Sequence, residues 1–124
     1  MPVIAAPTAP THELGTTRFT SLATPSRGSS ETSVWQVEIE PGTPATPHRL
    51  TREELFVVLE GEAQVRIGGI EQTAGVGDAI AVPADEPFEI VAASTSTLRM
   101  ICCMPVGGQA VMEDGAPFTP PWAL

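Results

Sequence analysis

The sequence predicts an all-β barrel or sandwich, and three observations carry that prediction. Ser33 to Glu40 (SVWQVEIE) alternates apolar and polar residues with the two-residue period of a half-buried strand. Short apolar segments recur along the chain, each closed by Gly, Pro or Asp turn chemistry. The 124 residues include 13 prolines and 11 glycines, which break any long helical pattern.

Met1 to Pro10 reads as a loose arm rich in Ala, Pro and Thr. Thr16 to Ala23 is β-branched and aromatic, a strand, and Thr24 to Ser30 is loop chemistry. In Ser33 to Glu40, Trp35, Val37 and Ile39 share one face, opposite Gln36, Glu38 and Glu40. Pro41-Gly42 turns the chain, and the prolines up to Pro47 exclude helix. Thr51 to Leu55 (TREEL) has helix propensity, but the following FVVL and the surrounding turns make Leu55 to Leu59 a strand. Ala63 to Ile67, Ile70 to Thr73, Ala79 to Val82, Pro87 to Ala92 and Leu98 to Met104 complete the strand set, separated by glycine turns, Pro83 and a Ser/Thr loop. The tail from Pro105 to Leu124 reads as irregular, with Phe118 and Trp122 either packing on the chain's own barrel or binding in trans.

Length and charge bound the function. A chain this long makes one domain and buries roughly 65–70% of its unfolded surface without staples. Fifteen acidic against six basic residues, all six arginine, give a formal charge of -9. That balance argues against nucleic acid or an anionic membrane surface as partner. Cys102 and Cys103 are adjacent, and a bridge between neighbours is strained, so free thiols and a reducing, cytoplasmic setting are expected. The opening MPVIAAPTAP lacks a basic n-region and does not read as a signal peptide, and no apolar run reaches membrane-helix length. There is no nucleophile elbow, phosphate-binding loop or dinucleotide fingerprint.

One stretch, Pro41 to Gly61 (PGTPATPHRLTREELFVVLEG), carries the chemistry. Gly42, His48, Glu54 and Gly61 fall on the spacing G-x5-H-x-H-x3-E-x6-G, with Leu50 in the second histidine position. Downstream, Gly77, Asp78 and Pro83 open a second pattern, G-x5-P-x-G-x2-H-x3-N, in which Asp85, Phe88 and Ala92 replace the second glycine, the histidine and the asparagine. These two patterns, spanning about Val34 to Met104, resemble the paired signatures of the cupin superfamily, and in particular its small single-domain bacterial members of unassigned activity. The resemblance implies a double-stranded β-helix, or jelly-roll, barrel over residues 31–106. It implies an N-terminal arm and first edge strand over 1–30, and a tail over 107–124 that packs on the barrel or a dimer partner. A homodimer is a further implication.

In metal-binding cupins the ligands come from four slots, here His48, Leu50, Glu54 and Phe88. Two of these are apolar. A complete four-ligand zinc site is worth about 10–16 kcal/mol, and losing half its ligands removes several of them. No tightly held metal or other cofactor is therefore expected. The alternative is a divalent metal (Zn, Ni, Fe or Mn) on His48 and Glu54, completed by His12 or Cys102. The bland readings are a solvated His12 in a mobile arm and a Cys102 acting as small apolar filler beside Leu98, Met100 and Met104.

Positions 48, 50 and 54 have the same parity, so in extended chain they point one way, and Phe56 and Val58 continue that face. The expected pocket is His48, Leu50, Glu54, Phe56, Val58 and Phe88. His48 and Glu54 are the candidate catalytic residues, or simply a pair that satisfies itself by a mutual hydrogen bond. Binding of a small organic ligand in a mostly apolar pocket is the leading expectation. A metal-dependent oxygenase or isomerase using His48, Glu54 and a non-standard third ligand is the alternative, and a filled, purely structural barrel is the third.

Overall fold

A computed structural model describes residues 3–124 and folds them into two antiparallel sheets. The strands are β1 (His12–Leu14), β2 (Thr17–Ala23), β3 (Thr32–Ile39), β4 (His48–Leu50), β5 (Glu54–Glu60), β6 (Ala63–Ile67), β7 (Ile70–Ala74), β8 (Ala79–Val82), β9 (Phe88–Ala92), β10 (Leu98–Pro105) and β11 (Ala110–Met112). One sheet has six strands in the order β1-β2-β3-β10-β5-β8, and the other five in the order β11-β4-β9-β6-β7. Successive segments cross between sheets, β4 to β5 and β5 to β6 among them, which is the jelly-roll pattern the sequence predicts.

Strand β10 is the spine. It pairs with β3 over its whole length and with β5 on its other side. Leu98, Met100, Cys102 and Met104 point inward and are buried, while Arg99, Ile101 and Cys103 alternate outward. On the β5 side the register slips between Arg99 and Met100, so Leu59 has no partner and the strand bends there. Trp35 and Val37 on β3 and Phe56 and Val58 on β5 meet Leu50, Val65 and Phe88 of the opposite sheet in one core. Among the described residues no helix is long and apolar enough to cross a membrane.

The turns explain the spaced glycines. Gly61 sits at φ +78°, and a Cβ there would lie 2.6 Å from the Thr97 carbonyl oxygen. Left-handed strain and a backbone clash should together make Gly61→Ala destabilising by about 2–4 kcal/mol in urea unfolding. A loss below about 0.5 kcal/mol would mean that the β5–β6 turn relaxes freely. Asp85 is the one non-glycine residue at positive φ, +66°, among those described. It stands where the second pattern has a glycine, and Asp is one of the few side chains that tolerate this conformation. Asp78 accepts a hydrogen bond from the Gly75 amide at 2.9 Å, a turn role.

The chain ends depart from expectation in their detail. His12 lies on β1, hairpin-paired with β2, rather than in a mobile arm, and its ring meets Trp122 edge-on at 6.5 Å. The tail is not irregular throughout. Strand β11 pairs with β4, Phe118 bridges back to Ala110, and a 3-10 turn at Pro121–Ala123 presents Trp122. Trp122 stacks flat on Phe19, with ring centroids 3.6 Å apart and planes within 5°. Hydroxyls of Ser21 and Ser33 donate to the Trp122 and Ala123 carbonyls at 2.7 and 2.8 Å. The tail thus packs on its own barrel, next to the cavity.

Candidate functional site

Between the inner faces lies a cavity of about 290 Å³. Trp35, Val37, Phe56 and Met100 form one wall, and Leu50, Phe88 and Ile90 the other. Thr43, Pro44 and Thr46 of the β3–β4 connection line it too, as do Phe118, Pro120 and Trp122 of the tail. Besides the Trp35 and Trp122 indoles, its polar side chains are the threonines, His48, Glu54 and Cys102, and among the described residues no arginine lines it.

His48 and Glu54 reach this space from opposite directions. His48 opens β4 in the five-stranded sheet, and Glu54 opens β5 in the six-stranded sheet. Residues 51–53 between them are not strand, so the parity argument does not apply across the break. The two residues meet because the sheets face each other. They do not satisfy one another either. The His48 Nδ1 lies 2.8 Å from the Thr46 carbonyl oxygen, and its ring tilts against Phe88 at 4.5 Å. Removal from water pushes the imidazole below its ordinary value, and the Thr46 bond offsets part of that.

Glu54 is 5% exposed and has no salt-bridge partner among the described residues. Burial pushes its carboxyl up to about 8, against a small downward pull from a hydrogen bond with the Cys102 thiol. Cys102 pairs with Phe56 across the β10–β5 ladder, which makes Glu54 its diagonal neighbour on the same face. The thiol is raised well above its ordinary value, first by burial and then by Glu54. A neutral carboxyl and a neutral thiol are therefore the forms this site holds near pH 7. The sequence reached Cys102 only as an alternative ligand beside His48 and Glu54, and no residue beside it in the chain points to a direct contact with the Glu54 carboxyl.

Of the expected pocket, Leu50, Phe56 and Phe88 line the cavity with His48 and Glu54, but Val58 does not. Val58 is fully buried, one pleat further into the core. Trp35, Met100 and the tail aromatics take part instead. The inward parity of β3 and β10 held the signal for Trp35 and Met100, while nothing local placed Trp122 there.

The donor set for a metal is incomplete. Leu50 and Phe88 supply no donor atom, and His12 lies on β1 against Trp122, outside the cavity lining. Among the described residues no three His, Cys, Asp or Glu side chains are grouped to share an ion, so His12 and Cys102 do not complete a set with His48 and Glu54. The residues present do not fit a resident metal. Arg66 and Arg99 lie outside the cavity lining. Arg66 pairs with Glu71 and Glu89, and Arg99 with Glu60 at 2.7 Å, on the outer faces.

Two facing antiparallel sheets with a cavity between them, and the glycine-bounded β4–β5 segment at its wall, define a small β-barrel. The family profile described as "Cupin domain" matches residues 35–104, more than half of the chain, and the chain belongs to the cupin family. Among solved structures it is similar to the polyketide cyclase RemF from Streptomyces resistomycificus, at 21% identity and a TM-score of 0.71 over 91% of this chain and 82% of that one. It is also similar to KdgF from Halomonas sp., at 18% identity and a TM-score of 0.66 over 78% of this chain and 86% of that one. An RmlC-like cupin from Shewanella frigidimarina has 19% identity and a TM-score of 0.63, over 73% of this chain and 77% of that one. These likenesses are of fold alone. No protein of curated function matches the chain.

Proposed function

We propose that this cupin binds a small, uncharged, largely apolar organic molecule in the barrel cavity, without a tightly held metal. The observation that carries the reading is Glu54, a buried carboxyl on the wall of an apolar cavity that no arginine among the described residues lines. A buried polar group held without full partners is costly to stability, and a ligand atom is the simplest partner it lacks. The missing cation disfavours an anionic ligand, and the neutral carboxyl serves as a hydrogen-bond donor. Size narrows the class further. An engineered apolar cavity of about 150 Å³ takes benzene, so this one suits a bicyclic skeleton with one polar atom.

The test uses 2-tetralone, an uncharged bicyclic ketone, and its carboxylated counterpart 2-naphthoate. With metal-stripped protein, tetralone should raise the melting temperature and quench Trp35 and Trp122, which both line the cavity. Naphthoate and divalent Zn, Ni, Fe or Mn should do neither. Stoichiometric metal in the purified protein, lost in His48→Ala, would sink the metal-free reading in favour of the metal-dependent one.

A further inference from the structure

Residues 119–124 supply wall to the cavity but hang on the barrel by other means than the strands do. The last backbone pairing of the tail is the bridge at Phe118, which exchanges two hydrogen bonds with Ala110 at 2.8 and 3.0 Å. Beyond it, among the described residues, no backbone–backbone hydrogen bond joins 119–124 to another element. The amides of Ala123 and Leu124 bond within the 3-10 turn, to the Pro120 and Pro121 carbonyls. Side chains hold the segment to the barrel instead. The hydroxyls of Ser21, Ser33 and Ser26 donate to the backbone oxygens of Trp122, Ala123 and Leu124 at 2.7, 2.8 and 2.6 Å. Just before the Phe118 bridge, residues 113–117 are all exposed.

Two residues of this segment, Pro120 and Trp122, line the cavity, and Trp122 lies flat on Phe19, which lines it as well. Trp122 is only half-buried, so it stands between the cavity and solvent. A segment held by three hydroxyls and one aromatic stack opens at lower cost than the strands beneath it, which must break a run of backbone hydrogen bonds together. Opening strips the cavity of its Pro120 and Trp122 surface. We propose that residues 119–124 are a detachable wall of the ligand site, and that docking of this wall and binding of the ligand reinforce each other. This rests on the ligand reading above and adds its regulation. A molecule packed against Trp122 and Pro120 has those contacts only while the wall is docked. It therefore tightens docking by the same factor by which docking tightens binding.

The experiment follows chymotrypsin cleavage after Trp122 by mass spectrometry in the intact, metal-stripped protein, with tryptophan quenching by 2-tetralone measured in parallel. Ser21 and Ser33 hold the Trp122 and Ala123 carbonyls and Ala123 is buried, so the protease reaches that bond only in the open form. Cleavage after Phe88, buried in β9, reports global unfolding and should be the slower of the two. A short peptide substrate controls for effects of tetralone on the protease. Tetralone should slow cleavage after Trp122 to a plateau about tenfold lower, half reached at the concentration where quenching is half complete. Ser21→Ala/Ser33→Ala should speed that cleavage about thirtyfold without tetralone. The parent protein carries the test by itself should this variant not fold. Saturable quenching with cleavage after Trp122 unchanged overturns the coupling and leaves the ligand site standing. Equal rates after Trp122 and Phe88, or a folded double variant cleaved no faster than the parent, overturn the detachable wall. No saturable quenching overturns the ligand site and the coupling together.

Discussion

Glu54→Gln is expected to make the protein more stable at pH 9 than the parent chain by several kcal/mol, while the two differ by no more than about 1 kcal/mol at pH 4. The ordinary value for this side chain is 4.5, and burial raises it to about 8 in the folded protein. Below pH 4.5 both folded and unfolded chains hold the proton and nothing is lost. Between these values the folded chain holds a proton that the unfolded chain has released, so stability falls as pH rises. Above about 8 the folded state must keep a charge inside the barrel. Each pH unit in that window is worth about 1.4 kcal/mol, which sums to roughly 5 kcal/mol. Glutamine has nearly the same shape, still accepts from the Cys102 thiol and never ionises. The subtraction of the two profiles isolates this one group, because surface carboxylates behave oppositely. Glu40, for example, is lowered chiefly by its hydrogen bond from Arg18 and so loses stability on the acid side instead. Urea midpoints across pH 4–9 check the prediction, and parallel profiles for the two proteins would contradict a buried neutral carboxyl.

Histidines installed at both Leu50 and Phe88 should create a tight metal site if, as proposed, the parent holds no metal tightly. His48 and Phe88 are already register partners on β4 and β9, and Leu50 is fully buried on the same wall of the cavity. The double variant Leu50→His/Phe88→His would then face Glu54 with three imidazoles. Without metal it should be less stable than the parent by about 2–5 kcal/mol, since two polar rings replace packed apolar ones. Zn(II) or Ni(II) at 100 times its dissociation constant should return about 2.7 kcal/mol, or roughly 10 °C in melting temperature. The parent chain should show no such rise. A folded double variant indifferent to metal would mean that the four positions do not converge.

The framework was legible because its strands alternate and its turns need special residues. Ser33 to Glu40, Leu55 to Leu59 and Leu98 to Met104 each sort into inward and outward sets that the structure keeps. Strands β1, β4 and β11 were not legible. Each is three residues long, too short for a periodicity, and β4 sits among prolines. Their strand form comes from pairing with distant segments. The site divides the same way. Spacing found His48, Leu50, Glu54 and Phe88, all of which reach the cavity, although the parity reasoning joined the first three through a face that does not exist. Its true geometry needs two sheets, which a single extended stretch cannot encode. The Cys102–Glu54 contact and the Trp122–Phe19 stack lie 48 and 103 residues apart in the chain and are products of the fold.

The measurement closest to the central claim is a carbon-13 NMR titration of the Glu54 carboxyl in metal-stripped protein, assigned by its loss in Glu54→Gln and repeated with saturating 2-tetralone. The account predicts a midpoint near 8 in the free protein. It predicts a further rise with tetralone, because a carbonyl that accepts from the acid stabilises the protonated form. A midpoint in the ordinary carboxylate range, or one that tetralone leaves unmoved, would contradict it.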